Sequence, residues 1–489
     1  MSLIRSVTGR PGTALIPLIL VAFVAILAAC TPSHDQSTFD TAGPIAKQQA
    51  DLFIFIFWVA VAIFILVEGA LIYSVFRYRS RPDDKIPRQV HGNTRLEITW
   101  TIVPAFVLLA IAVPTVKAIY DHATPPTDRG EPLEIVAIGH QWWFEFRYPS
   151  LEIVTANELH IPTDRPIVVT LQSQDVIHSF WIPKLAGKLD MVPLNDNVFW
   201  FLAERPGMFY GQCAEFCGVA HAHMRFRVFA SPEEEFGQWV TAMRTPPDAP
   251  EPDSPAALGR TTFLANCSMC HSVDSYRSGG YGDEIAAQDL RWDTLVEQRE
   301  ESPIVSGPNL THLATRNALA AGVVPLTEEN LLKWIQNPAS IKHGTRMQAN
   351  AAVYKTSNNH VDLTDEELGN VVAYLLSLEP GEGGPAEAIP PSESGEPDAA
   401  RGEALFAANG CSGCHSLGDD MLVGPGLKGV AVRAATRVTG LSADEYLYQS
   451  IREPAAFAAE GYTAGVMLKF PSLTDGDIAD LIEYLKTLE

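Results

Sequence analysis

Basic residues are in deficit and cysteine is scarce. The 489 residues include 35 Lys and Arg against 58 Asp and Glu, a formal charge of −23. Such a balance argues against a nucleic-acid partner and suits soluble acidic domains that meet basic partners. Only seven cysteines occur, and each has a place that needs no disulfide. Cys30 stands alone, Cys213 and Cys217 form a close pair, and Cys267/Cys270 and Cys411/Cys414 are two C-x-x-C pairs. No histidine follows His415, and neither Met347 nor Met467 is followed by proline. The length leaves room for about three or four domains.

Apolar sequence is concentrated near the start. Arg5 and Arg10 precede an apolar run from about Ala14 to Ala29, which ends Leu27-Ala28-Ala29-Cys30. A charged start, a short apolar stretch and small residues before the break describe a secretory leader over 1–29. The same ending resembles a bacterial lipoprotein cleavage site, which would leave Cys30 lipidated; a plain leader is the alternative. Thr31 to Gln49 reads as a polar exported lead. Leu52 to Phe76, with Glu68 its one charge, and Ile98 to Tyr120 are each long enough to cross a bilayer. Arg77, Arg79, Arg81, Lys85, Arg88 and Arg95 between them place the connector in the cytoplasm, so both ends of the hairpin face outward. Glu97 opens the second span, where a carboxylate suits the positive helix end. Glu68 lies deeper and is most simply an interhelix hydrogen-bonding group, although an acid inside a membrane is also a functional candidate.

From Leu133 to Phe229 short alternating runs broken by Pro and Gly predict an antiparallel β-sandwich or barrel. Within it, Gly211 to Met224 gathers Cys213, Glu215, Cys217, His221, His223 and Met224 into one loop. Thiolate, thioether and imidazole form the ligand set of an electron-transfer copper site. Cys213 and Cys217 could bridge two metals, with His221 and Met224 capping them. The rival is a Cys213–Cys217 disulfide, which leaves the His and Met unexplained. A further ligand is offered by His178 in Asp-Val-Ile-His-Ser-Phe-Trp.

These motifs resemble the CuA domain of cytochrome c oxidase subunit II. The resemblance implies a dinuclear copper held by His178, Cys213, Cys217, His221 and Met224, with Glu215 binding through its backbone carbonyl. It further implies that the Glu215 side chain reaches a magnesium ion at the interface with the catalytic subunit. His223 falls outside the pattern and reads as a surface histidine. Gly139-His140-Gln141-Trp142 resembles the family stretch whose tryptophan receives electrons above the copper, making Trp142 the candidate for that role. Phe144 stands where a tryptophan is common. Glu97 matches a glutamate at the mouth of a proton-uptake path in the family.

Two Pro-rich stretches, 245–257 and 379–399, read as linkers, and the segments after them repeat one another. Cys267-Ser-Met-Cys270-His271 parallels Cys411-Ser-Gly-Cys414-His415, Gly307-Pro308 parallels Gly424-Pro425, and helices through Tyr374 and Tyr484 close the two copies. Thr364 with Glu367 forms a capping box; Thr474 with Asp477 reads as a looser one. C-x-x-C-H is the haem c attachment signature, against the alternatives of a thioredoxin-like pair or half a zinc site. His271 and His415 are then proximal iron ligands, with Pro308 and Pro425 offering each imidazole a carbonyl. Met347 is the candidate sixth ligand of the first copy, with His312, His343 and His360 as rivals. In the second, Met421 is too close to His415, which leaves Met467.

The expected fold is therefore multidomain: a two-helix transmembrane hairpin, an all-β cupredoxin-like CuA domain and two all-α class I cytochrome c domains. The expected boundaries are 1–29 for the leader, 30–125 for lead and hairpin (spans near 52–76 and 98–120), 126–243, 255–380 and 398–489. The resemblance is to subunit II of a caa-type cytochrome c oxidase. It implies two covalently bound haem c groups and CuA feeding electrons to subunit I, which reduces oxygen to water with proton translocation. Subunit III and a cytochrome c donor are the other implied partners, the location is the bacterial cytoplasmic membrane with the C-terminal domains outside, and no nucleic acid is involved. A CuA-containing nitric oxide reductase subunit, or an anchored electron conduit without a catalytic partner, are the alternatives. A quinol oxidase subunit II would lack the copper ligands.

Overall fold

The computed structural model describes residues 34–79, 92–267, 270–273, 307–355, 360–382, 397–409, 411, 415–419, 424–438, 440–454, 456–457, 459, 467, 470 and 473–488. The predicted leader, Cys30, Cys414 and Met421 lie outside these residues. The chain divides into two compact units, residues 1–121 with 182–187, and residues 122–181 with 188–489.

In the first unit, α1 (Pro44–Arg77) and α2 (Thr94–Ala123) have 34 and 30 residues. At 1.5 Å per residue each is about 45–50 Å long, more than the ~30 Å hydrocarbon core of a bilayer. Large apolar side chains such as Phe64, Phe76, Phe106 and Leu108 face outward along them, a surface that suits lipid and not water. The chain is membrane-anchored through this pair. α1 begins well before Leu52, so part of the expected polar lead is helical. Gly43 and Pro44 start it, and the Ala42 and Ala46 amides donate to the carbonyls of Lys184 (2.7 Å) and Leu185 (3.3 Å). Asn93 caps α2 by accepting from the amides of Arg95 and Leu96. Pro104 and Pro114 lie inside the helix without ending it.

In the second unit, ten strands form two five-stranded sheets. They are β1 (Leu133–His140), β2 (Trp143–Tyr148), β3 (Ile153–Ala156), β4 (Glu158–Pro162) and β5 (Ile167–Ser173). After them come β6 (His178–Trp181), β7 (Leu189–Met191), β8 (Asn197–Phe201), β9 (Gly207–Cys213) and β10 (Arg225–Ser231). The sheet orders are β3-β2-β1-β5-β8 and β4-β10-β9-β6-β7. The sandwich is mixed and not antiparallel throughout, because β1 pairs with β5 and β4 with β10 in parallel. The chain leaves the first sheet at β4 and re-enters it at β5 running alongside β1. Alternating apolar residues meet in the core, where Phe180 stacks on Phe226 at 4.6 Å and Phe144 meets the same ring at 4.7 Å. Each such buried ring contributes roughly 1.5–3 kcal/mol over an exposed one.

The β1–β2 turn is held from below. Glu145 accepts from Arg147 at 2.6 Å and pairs with His140 at 3.0 Å. Burial alone would raise the Glu145 carboxyl, but Arg147 and His140 hold it down at about 2. The turn carries Gln141 and Trp142. After the sandwich, α3 (Glu233–Met243) lays Trp239 on His160, ring centroids 4.5 Å apart.

The first haem repeat contains α4 (Pro255–Asn266), α5 (Glu328–Gln336), α6 (Pro338–Ile341), α7 (Arg346–Asn350) and α8 (Asp365–Leu376). The second contains α9 (Ala399–Ala408), α10 (Val430–Arg437), α11 (Ala443–Arg452) and α12 (Asp475–Lys486). Each copy is closed by its first helix crossing its last. A Cβ on Gly259 would stand 1.9 Å from the Asn370 carbonyl oxygen, and one on Gly402 2.0 Å from that of Asp480. Phe263 meets Tyr374 at 5.6 Å and 56–59° tilts recur where Phe406 meets Tyr484 at 5.4 Å. The Thr474 box is complete and not loose: the shorter Asp477 carboxylate accepts from the Thr474 amide at 2.8 Å, and Thr474 accepts from the Asp477 amide at 3.1 Å. A further box, Ser442 with Glu445, opens α11.

Candidate copper and haem sites

β9 and β10 are neighbours in antiparallel register, with Gly211 opposite Phe226. Gly211 has no side chain because the Phe226 ring occupies that space; a Cβ there would lie 2.1 Å from the ring. The loop between the strands leaves at Cys213 and returns at Met224, whose carbonyl accepts from the Cys213 amide at 2.9 Å. A single 3-10 turn, His221–His223, folds Met224 back under the loop.

The two thiols face each other at 3.7 Å and both are free. A disulfide requires ~2.05 Å, so the disulfide alternative is not the arrangement adopted. Cys213 Sγ is 3.9 Å from His178 Nδ1 and 3.2 Å from the Glu215 carbonyl oxygen. Cys217 Sγ is 3.5 Å from His221 Nδ1 and 3.8 Å from Met224 Sδ. Each sulfur thus has one imidazole nitrogen and one weaker donor beside it. The His178, Cys213 and Cys217 donor atoms all lie within 4.8 Å of one another. The hydrogen bond with Cys217, followed by the one with His178, pulls the Cys213 thiol down to about 3, while the same bond and burial push the Cys217 thiol up. A soft divalent or monovalent metal would displace thiol protons on binding. The donor set fits a copper pair.

His178 lies on the backbone of Gly139, where a Cβ would stand 2.7 Å from the ring. Its Nε2 bonds Asp175 Oδ1 at 2.8 Å, which turns Nδ1 toward the sulfurs. Asp175 also accepts from the Gln141 amide at 2.7 Å. Asp175 and Gly139 position the candidate ligand His178 and were left unassigned by motif reading; the signal was the Asp three residues before that His. Asp175→Asn is expected to weaken copper binding by about 10–100-fold with the sandwich still folded. A copper competition titration monitored by EPR and circular dichroism checks this, and unchanged affinity would refute it.

Trp142 is buried and its indole nitrogen donates to the Cys217 carbonyl at 3.0 Å, which Gln141 Nε2 also reaches at 2.7 Å. Gly218, at φ 120°, leaves room for the indole, 3.0 Å from where a Cβ would be. His223 is partly buried and stands outside the sulfur cluster; burial, Arg225 and Lys342 push its imidazole pKa down. The Glu215 side chain is exposed enough to meet a partner and lies 3.9 Å from Lys188. Glu97 sits in the first turn of α2, exposed, and Glu68 is partly exposed within α1.

In the first repeat the amides of Cys270 and His271 both donate to the Cys267 carbonyl, which keeps the three fixed positions of the C-x-x-C-H motif close in the backbone. His271 Nδ1 donates to Pro308 O at 2.8 Å, and His415 Nδ1 to Pro425 O at 2.9 Å. A carbonyl only accepts, so Nδ1 carries the proton and Nε2 is left as the bare donor an iron needs. Burial pushes both imidazoles down, keeping them neutral. Gly307 and Gly424 complete the motif, because a Cβ on either would lie 2.5 Å from the imidazole Cε1. The Gly-Pro pair therefore has two jobs, close approach and orientation. Met347 packs against the first core with Cys267, and Met467 against the second with Cys411. Of the rivals to Met347, His312 is buried with Nε2 on the Thr245 carbonyl at 2.8 Å, while His343 and His360 are exposed. The residues present fit haem c in both repeats.

The chain matches the family model for cytochrome C oxidase subunit II, periplasmic domain, over residues 150–230, and the transmembrane domain of that subunit over 32–118. Cytochrome c matches twice, over 256–379 and 399–489. Cytochrome c oxidase subunit 2 of Alkalihalophilus pseudofirmus is 34% identical over 357 residues, covering 72% of this chain and 93% of that protein. Quinol oxidase subunit 2 of Bacillus cereus is 34% identical over 262 residues, 52% of this chain and 88% of that one. Among solved structures, the periplasmic domain of subunit II of cytochrome oxidase from Bradyrhizobium japonicum is 33% identical with a TM-score of 0.22, covering 23% of this chain and 94% of that one. A membrane hairpin, a cupredoxin-like sandwich and two haem repeats, matched to this family over nearly three quarters of the length, place the chain in the cytochrome c oxidase subunit II family.

Proposed function

We propose that this chain is the electron-input subunit of a terminal cytochrome c oxidase, taking electrons through two haem c groups and delivering them by way of CuA to subunit I, where oxygen is reduced to water and protons are translocated. The observation that carries the reading is the set of facing donors, His178, Cys213, Cys217, His221 and Met224, on a chain that also holds two C-x-x-C-H motifs. Quinol oxidase subunit II shares the sandwich, but has no use for such a set. When bound, the copper pair and haem irons exchange single electrons. The protein's part is to hold the donors still. Asp175 fixes His178, Pro308 and Pro425 fix the proximal imidazoles, and the paired strands β9 and β10 anchor both ends of the copper loop. Met347 and Met467 would help hold the two haem irons opposite His271 and His415, and a Met ligand there would raise the potential.

Trp142, hydrogen-bonded to the backbone of Cys217, would receive electrons from haem c on their way to the copper pair. The Glu215 carboxylate would help hold a magnesium ion shared with subunit I, and Glu97 would lie at the opening of a proton-uptake path. Subunit III completes the complex. The basic connector favours the cytoplasm, so the C-terminal domains stand on the outer side. There the acidic surface suits a basic soluble cytochrome c, and turnover with that donor should fall as ionic strength rises. The test is an optical and EPR spectrum with metal analysis of the complex from native membranes, followed by oxygen uptake with reduced cytochrome c. Two c-type haems and a dinuclear copper signal per chain, with cyanide-sensitive uptake, support the reading. Nitric oxide consumption without oxygen uptake would replace it.

A further inference from the structure

The sandwich and the first haem repeat belong to one compact unit, and the side chains joining them converge on the copper loop. Lys342, only 4% exposed, donates to the carbonyls of Trp142 and, at 3.3 Å, Ala320. Arg346 donates to Gln141 Oε1 and stands 3.7 Å from Asp175 Oδ2. Gln141 continues to the Cys217 carbonyl, and Asp175 to His178. One arginine, next in sequence to Met347, therefore reaches the residues beside two copper ligands, one on each side of the pair. Gly344 carries the chain past Val219 of the same loop, where a Cβ would lie 2.3 Å from a valine methyl. Its φ of 78° is open to glycine and strained for other residues.

The seam is anchored away from the copper as well. Asn317 donates its amide to Glu158 at 2.7 Å, and His312 bonds the Thr245 carbonyl at 2.8 Å. Taking a lysine out of water with carbonyls as its hydrogen-bond partners is costly. Lys342 makes sense where a fixed seam, not a passing contact, closes over it. The linker to the second repeat starts at Gly381 and Glu382, bonded to Pro246 and Asp248 of the first linker. Among the described residues, none of the seam residues comes from the second copy.

We propose that Lys342 and Arg346 are positioning residues that seat the first haem repeat on the copper loop, making it the immediate donor to that loop and leaving the second repeat as the outer acceptor. The proposal rests on the copper and haem assignments above. With both groups bound, a haem in the first repeat would supply single electrons to the copper pair, and neither bond-making nor proton transfer would be asked of these side chains.

The experiment uses the full complex carrying Lys342→Met and Arg346→Gln together. Optical haem bands and the copper EPR signal report whether the centres are intact. Hydrogen exchange of the 139–143 backbone reports the seam, and rapid-mixing optical kinetics report haem-to-copper transfer. With both spectra retained, exchange at 139–143 should rise and the fast transfer phase should slow, each by about tenfold or more, since small displacements of reacting partners cost that much. In a chain carrying Cys267→Ser and Cys270→Ser the fast phase should vanish. An unchanged fast phase in the double variant, or one that survives loss of the first haem, overturns the proposal. Missing haem or copper spectra in the unaltered complex would overturn the underlying assignment instead.

Discussion

Cys217→Ser is expected to abolish the dinuclear copper EPR signal and to cut oxygen uptake with reduced cytochrome c by on the order of 100-fold or more. The scale follows from the neighbouring groups. Loss of a group that merely orients a ligand costs about 10–100-fold, and Cys217 is itself the sulfur that faces Cys213, His221 and Met224 together. A serine oxygen is a hard donor, and at neutral pH it keeps its proton, so it bridges a soft metal pair poorly. The fold should tolerate the change, because Cys217 takes no part in a strand and its carbonyl still accepts from Gln141 and Trp142. Both haem spectra should persist, since His271 and His415 are oriented by prolines within their own repeats. Retention of the copper signal would show that the metal is held by some other set of residues.

What could be read from the sequence was whatever a short stretch specifies by itself. The candidate copper loop supplies four candidate ligand side chains within twelve residues, from Cys213 to Met224, and the C-x-x-C-H motifs are equally local. The Gly-Pro pairs were visible as repeats, although their use depends on an imidazole at a distance in the chain. Parallel pairing of β1 with β5 and β4 with β10 could not be read from alternation, which gives the face a residue occupies and not the direction of its neighbour. Nothing local in the sequence marks Lys342 and Arg346, because their meaning lies in Trp142, Gln141 and Asp175 roughly two hundred residues earlier. Asp477 was read as a weak cap from its short side chain. It makes the full box and also pairs with Arg401, a partner that repeat alignment alone does not predict.

Gly402→Val is expected to remove haem from the second repeat while leaving the first repeat and the copper site intact. The added side chain would meet backbone on the facing helix: a Cβ alone would stand 2.0 Å from Asp480 O and 2.6 Å from its carbonyl carbon. Backbone cannot turn away as a flexible side chain can, so α9 and α12 must separate. That separation opens the contact of Phe406 with Tyr484 and exposes Leu405, Ile478 and Leu481 from the core they share. It also draws Arg401 away from Asp477 and the buried Asp480. Overpacking commonly costs about 1–3 kcal/mol, and a clash with backbone at a helix crossing falls at the upper end or beyond it. A small domain has only about 5–15 kcal/mol in hand, and the fold must form around its haem. Gly259→Val in the first repeat should do the reciprocal damage, since its Cβ would stand 1.9 Å from Asn370 O. Haem stain and pyridine haemochrome content of the two variants, each against the unaltered chain, measure this. Each should show about half the haem, as one of two equivalent crossings has been broken. Full haem content in either variant would mean that the helices can part without unfolding the repeat, and that the glycine is there for some reason other than their close approach.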